Sequence, residues 1–193
     1  MLMIYETIVT TCSADGDVHV APFGIQWHEG RVLIMPFKPS TTLQNILQSG
    51  FAVLNLTDDV RVFAAAIAKK TAFATESVAS GYGVRLKDCL AHHVLSLQQI
   101  EEDDVRPKLW MQVVESASHA PFMGFNRAQA AVIELAVLVS RLHMLPAEKI
   151  IQEMQYLQIA IDKTAGSREQ EAWQWLVDCV NNHLAQQSGL QQA

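Results

Sequence analysis

Cysteine is scarce in this chain: Cys12, Cys89 and Cys179 are its only three, odd in number and far apart. They form neither a disulfide framework nor a metal-ligand spacing, and they fit a reduced, cytoplasmic protein. Basic clusters are missing as well. Nothing larger than Lys69-Lys70 occurs and the formal net charge is −6, so nucleic acid and an anionic membrane surface are poor partners. No apolar run is long enough to span a bilayer. The nearest, Ala128 to Leu145, is interrupted by Glu134 and Arg141 and reads as an amphipathic helix. At Met1-Leu2-Met3-Ile4-Tyr5-Glu6 no basic region leads into an apolar run and a small-residue cleavage site, so this is not a signal-peptide pattern. Also lacking are a nucleophile elbow, a Cys/His pair, a P-loop and a dinucleotide-binding glycine pattern, which leaves no dedicated acid, base or nucleophile in view.

What is present is a globular composition, half hydrophobic and 18% charged over 193 residues, enough for one domain with a substantial core or a small barrel with a helical appendage. Tyr5 to Thr11 alternates as a first strand, ended by Ser13-Ala14-Asp15-Gly16. Residues 19–25 and 31–37 are rich in β-branched and aromatic residues and are separated by Glu29-Gly30, a hairpin pattern. Pro22 cannot donate to a ladder, which predicts a sheet edge or a bulge at that point and leaves backbone groups free there. Next comes Lys38-Pro39-Ser40-Thr41-Thr42-Leu43-Gln44-Asn45-Ile46, a helix start that either Ser40 or Thr41 can cap, Thr41 with Gln44 having capping-box spacing and Gly50 serving as the stop. Free N–H groups, hydroxyls and the Lys38 ammonium together suit a phosphate. A strand surface beside such a helix start suits a flat ring that carries one.

A strand at Phe51 to Leu56 follows, then a short alanine-rich helix through residues 63–68 for which Asp58 is the expected cap. Lys69, Lys70 and Thr71 read as its solvated end, a place near a ligand phosphate being the alternative. Residues 71–83 read as loop. Residues 86–100 and 108–116 read as strands around the acidic turn Glu101-Glu102-Asp103-Asp104. Adjacent strand side chains point to opposite faces, so His92 and His93 cannot chelate one metal side by side; His119 stands alone in the sequence, and no metal site is expected.

From Asn126 the period becomes helical. Stripes at Ala128/Ala131/Leu135/Leu138/Leu142, Ile150/Met154/Leu157/Ile161 and Trp173/Val177/Val180/Leu184 mark three amphipathic helices. Pro146 separates the first two, Gly166 ends the second, and Ser167 with Gln170 has the spacing to start the third. Asn126 and Arg127, at the mouth of the first, are open to a site role beside their plain reading as a cap and a surface arginine.

The succession Thr10-Thr11, Ala14-Asp15-Gly16-Asp17, His19-Val20-Ala21-Pro22-Phe23, Thr42-Leu43-Gln44-Asn45-Ile46 and Phe51-Ala52-Val53-Leu54-Asn55-Leu56 resembles the FMN-binding split-barrel flavoproteins, whose flavin reductases carry similar N-V-A-P-F, T-L-x-N-I and F-V-V-N-L segments. His19 stands where those reductases usually have Asn. With Phe125 to Glu134 and Asp162-Lys163-Thr164-Ala165-Gly166, the chain resembles the two-domain branch of that superfamily, which has a helical C-terminal part. The resemblance implies an α+β chain, a split β-barrel over 1–124 followed by three helices over 125–193. It implies FMN as cofactor, with the backbone of His19, Val20, Ala21, Pro22 and Phe23 on the ring, Lys38, Ser40, Thr41 and Thr42 on the phosphate, and Asn45 in support, Asn126 and Arg127 being further candidates. It also implies a homodimer and a small-molecule electron donor or acceptor, as a reductase or electron-transfer protein. A non-catalytic binding or scaffold protein, of a flavin or of a pterin pathway, is the alternative for function; haem on one of the histidines is the alternative for cofactor, since some split barrels bind it.

Overall fold

The computed structural model describes residues 3–70 and 73–190, with side chains to residue 187. Two compact units result, Met1–Asp58 with Phe73–Phe122, and Asp59–Ala72 with Met123–Ala193.

The first unit is a six-stranded antiparallel closed barrel, in the spatial order β1-β2-β3-β8-β7-β4. Its strands are β1 (Tyr5–Cys12), β2 (Val18–His28), β3 (Arg31–Ile34), β4 (Phe51–Leu56), β7 (Ala91–Glu101) and β8 (Lys108–Ser118). Period-two patterning sends Val9, Ile25, Val32, Ile34, Leu54, Leu95, Leu109 and Met111 into one buried cluster, joined by Leu43 and Ile46 of α1 (Thr41–Ser49). The hairpin expected at Glu29-Gly30 is there, both residues having positive φ (48° and 81°) as a two-residue hairpin turn requires. β3 pairs with β2 only at Gln26, Trp27 and His28, so residues 18–25, Pro22 among them, have a strand partner on the β1 side alone.

A feature absent from the sequence reading is a small antiparallel hairpin of β5 (Thr75–Ser77) and β6 (Val84–Leu86), within the stretch read as loop. Residues 71 and 72 of that stretch lie outside the described residues. The hairpin lies on the outer side of β1 and β4, where Val78 buries against Val53 and Val94 beside Phe51. Its strands are three residues each and owe their form to long-range hydrogen bonds: Thr10 Oγ1 donates to the Val84 carbonyl and Leu86 N–H donates to Asn55 Oδ1.

The second unit is helical: α2 (Arg61–Ala68), α3 (Arg127–Val139), a 3-10 turn (Leu142–Met144), α4 (Ala147–Thr164) and α5 (Ser167–Leu190). Ala64, Ala128, Ala131, Leu135, Ile150, Trp173 and Leu176 are among its fully or nearly fully buried side chains. Two helix starts differ from expectation. Asp59, not Asp58, accepts the Arg61 N–H and also grips the Arg61 guanidinium. At α5, Glu169 rather than Gln170 reaches back, its Oε2 accepting the Gly166 N–H at 2.9 Å. Among the described residues, no helix is long and apolar enough to cross a membrane.

Candidate functional site

α1 starts on Ser40, whose Oγ accepts the Leu43 N–H while its carbonyl accepts the Gln44 N–H at 3.1 Å. Ser40, not Thr41, is therefore the cap. The N–H groups of Thr41 and Thr42 precede that first intrahelical bond and point out of the helix start. Thr41 is exposed and Thr42 is buried. Gly50 closes the helix in the left-handed region, φ 78°.

Two hollows flank this start. One, of about 400 Å³, is lined by Ser13, Asp15, Asp17, His19, Thr41 and Asn45 among others. Asn45 is buried there and its Nδ2 donates to Thr11 Oγ1 at 3.0 Å, which ties α1 to β1. The other, of about 520 Å³, is lined by Pro39, Ser40, Thr41, Leu43, Gln44 and Leu47, with no carboxylate. Lys38 lies at the surface, its ammonium 2.8 Å from Glu102.

β2 brings His19, Val20, Ala21, Pro22 and Phe23 into one half-buried run, and Phe23 packs on the barrel core. Burial lowers the His19 pKa, so the imidazole is neutral at neutral pH. The structure thus brings His19, Thr41 and Asn45 together around one hollow, with Ser40 and Thr42 adjoining. Asn126 and Arg127 belong to the helical unit. There Asn126 caps α3, its Oδ1 accepting the Ala128 N–H, while its Nδ2 donates to the Thr164 carbonyl; Arg127 is exposed.

His119, solitary in the sequence, has a partner in the fold. His92 is buried, and its Nε2 donates to Glu115 Oε1 at 3.1 Å while its Nδ1 lies 2.8 Å from His119 Nε2, the two rings stacked. The other Glu115 oxygen accepts the Ser80 N–H, and the Ser80 hydroxyl first, then the His92 contact and the backbone N–H bonds, hold its carboxyl below the usual range against the effect of burial. His93 points the other way, to Trp27 and Ser116. Among the described residues no group of three or more His, Cys, Asp or Glu is arranged to hold a metal ion.

Comparison with known proteins places these features in a family. The family model described as "Protein of unknown function (DUF447) N-terminal domain" matches residues 5–120, and a second, "Protein of unknown function (DUF447)", matches residues 126–178. No curated protein matches the chain. Among solved structures it is similar to the FMN-bound protein MM1853 from Methanosarcina mazei, at a TM-score of 0.79 and 20% identity over 93% of this chain and 96% of that one. The 2-nitrobenzoate 2-nitroreductase NbaA from Pseudomonas fluorescens matches at 0.51 and 16% identity, over 59% of this chain and 64% of its own. Flavoredoxin from Methanosarcina acetivorans matches at 0.51 and 12% identity, over 60% and 69%. At such identities the likeness is one of fold, and of these three the first covers nearly the whole of both chains. With a six-stranded barrel, a helical second unit and two family models that together span most of its length, the chain belongs to the DUF447 family.

Proposed function

We propose that this chain binds FMN and works as a flavin-dependent reductase or electron-transfer protein. The observation that carries this reading is the placing, within one unit, of the open edge of β2 at residues 18–25 beside the start of α1. The backbone groups of His19 to Phe23 that face away from β1 are available to the polar edge of a ring, Pro22 offering a carbonyl but no N–H and the Phe23 carbonyl being held by Thr7 Oγ1 at 2.9 Å, and the neutral His19 imidazole adds a donor and an acceptor there. The phosphate belongs on the Ser40–Thr41 side, since Asp15 and Asp17 stand on the rim of the His19 hollow and repel an anion. There the Thr41 and Thr42 N–H groups and the Thr41 hydroxyl meet it, with the positive end of the α1 dipole. Lys38 is held by Glu102 in an exposed pair worth at most about 1 kcal/mol, so turning its ammonium to a phosphate costs little. Asn45 acts through Thr11 and positions the helix. The Asn126 amide is engaged at both ends within its own unit.

FMN, when bound, supplies one- and two-electron transfer; the chain supplies binding, orientation and exclusion of water. Support comes from the fold shared with the FMN-bound Methanosarcina mazei protein and with the nitroreductase and flavoredoxin. We also infer a homodimer, because Met3, Ile4 and Tyr5, leading into and opening β1, leave consecutive apolar side chains exposed.

Thr41→Ala combined with Lys38→Ala is expected to weaken FMN binding at least tenfold, read by quenching of flavin fluorescence, without unfolding the chain; unchanged affinity removes the phosphate assignment. Turnover is a separate question. Oxidation of NADH or NADPH in the presence of FMN marks a reductase, and a chain that holds flavin and leaves both unoxidised is a flavin-holding protein.

A further inference from the structure

A third cleft, of about 460 Å³, opens at the other end of α1, between the ends of β1 and β4 and the turn of the β5–β6 hairpin. Three properties set its chemistry. The first is neutrality: Thr10, Thr11, Ser13, Ser49 and Ser77 are its hydroxyl-bearing lining residues, Thr10 and Ser49 already donating to backbone carbonyls, and not one Asp, Glu, Lys, Arg or His side chain lines it. Glu76 and Arg85, which flank it in sequence, form an ion pair with each other instead. Burial pushes the thiol of Cys12, another lining residue, up and keeps it uncharged. The second is an aromatic platform. Tyr82 stacks on Phe51 with centroids 4.1 Å apart and planes within 2°, yet 52% of Tyr82 stays exposed. The third is how that platform is fixed. Gly83 has φ +145°, and a Cβ there would meet Val53 at 3.2 Å, so glycine lets the turn lie close on β4. Glu115 pins the preceding Ser80 N–H at 2.7 Å.

An ion entering this cleft loses hydration and finds no counter-charge, so charged groups are disfavoured. A flat ring gains the stacking surface, and an amide edge is matched by the exposed Ser77 hydroxyl and by backbone groups. The volume lies within the range that small-molecule sites occupy. Ser13 lines both this cleft and the hollow that contains His19 and Asn45, so an occupant here lies beside whatever fills that hollow. We propose that the cleft between Tyr82, Ser77 and the Thr10–Ser13 strand end is a second ligand site, which takes an uncharged one- or two-ring heteroaromatic group bearing an amide-like edge. It is a site distinct from the FMN site and stands without it.

The test uses the full chain and two probes of nearly equal shape, neutral nicotinamide and anionic nicotinate, read by saturation-transfer difference NMR. Nicotinamide is expected to show saturable transfer and nicotinate at least ten times weaker binding. Tyr82→Ala is expected to weaken nicotinamide at least fivefold, and the ring alone, in Tyr82→Phe, to restore it. Ser77→Trp, a change at an exposed position that fills the cleft, is expected to abolish binding, with circular dichroism confirming the fold of each variant. FMN affinity is expected to be the same in Tyr82→Ala as in the natural chain. The proposal is overturned by absent transfer from nicotinamide, by equal binding of nicotinate, or by binding that neither Tyr82→Ala nor Ser77→Trp changes. It is overturned as well if Tyr82→Ala lowers FMN affinity in parallel, because the cleft then belongs to the flavin ring itself. A chain that binds nicotinamide as described and retains no FMN keeps this site and loses the flavin reading.

Discussion

Asn55 is fully buried, and its amide ties three strands together: Nδ2 donates to the carbonyls of Ile8 and Val53 and to Thr10 Oγ1, while Oδ1 accepts the Leu86 N–H at 2.7 Å. Replacing it by Leu removes the bonds that its amide donates and leaves the Leu86 N–H without its acceptor. Asn55→Leu is expected to cost about 2–3 kcal/mol, seen as a lower urea midpoint, and to speed hydrogen exchange at the Leu86 amide; an unshifted midpoint removes Asn55 from this role. Ser40→Ala, which deletes the α1 cap, is expected to cost about 1 kcal/mol. The histidines set a pH dependence. Burial lowers the pKa of His19 and, with the His92 charge as a second cause, of His93, both below the ordinary 6.5. The unfolded chain then binds more protons than the folded one, so stability is full above 6.5 and declines as pH falls through that value and the folded ones. Glu115, held below 4.5, adds a loss of the same sign at lower pH. Melting temperature is therefore expected to fall from about pH 7.5 to about pH 5.5, less steeply in His93→Asn. A flat or rising profile contradicts the assignment.

At the level of elements, what was legible in the sequence is what local patterning controls. Alternation gave the six barrel strands, and Ser40, Gly50, Glu29 and Gly30 marked ends and turns where side chain or φ decides the geometry. The β5–β6 hairpin was hidden because strands such as Thr75-Glu76-Ser77 are too short and polar to alternate; partners far away in sequence, Thr10 and Asn55, create it. The same reason hid the partner of His119, since only the pairing of β7 with β8 brings residue 92 to residue 119. Choosing Asp58 over Asp59, or Gln170 over Glu169, required knowing the backbone turn to within one residue, which composition does not supply. Because the hairpin hangs on a few hydrogen bonds and Val78, its amides are expected to exchange faster than those of β4 and β7. Protection of Ser77 and Val84 equal to that of Leu54 and Leu95 counts against this.

On the scale of the molecule, the strand-rich first part and the helical last part were both visible as a change of period near Asn126. That α2 groups with the later helices rests on contacts between residues more than sixty positions apart, Ala64 with Ala128 and Ala131 in one buried cluster, and no local pattern carries it. The open edge of β2 was anticipated from Pro22 alone; which hollow at the α1 start contains carboxylates needed the fold. The exposed apolar residues Met3, Ile4 and Tyr5 lead to an expected mass near twice 21.4 kDa in light scattering after size exclusion, and a monomeric mass at micromolar concentration removes the homodimer. The most direct measurement of the central proposal is the visible absorption spectrum of the purified chain, before and after FMN is added and the excess removed by gel filtration. Flavin bands retained near one per chain, and reduced in the Lys38→Ala, Thr41→Ala double variant, are the expected result. A chain that emerges without flavin bands, or one whose bands ignore both substitutions, contradicts it.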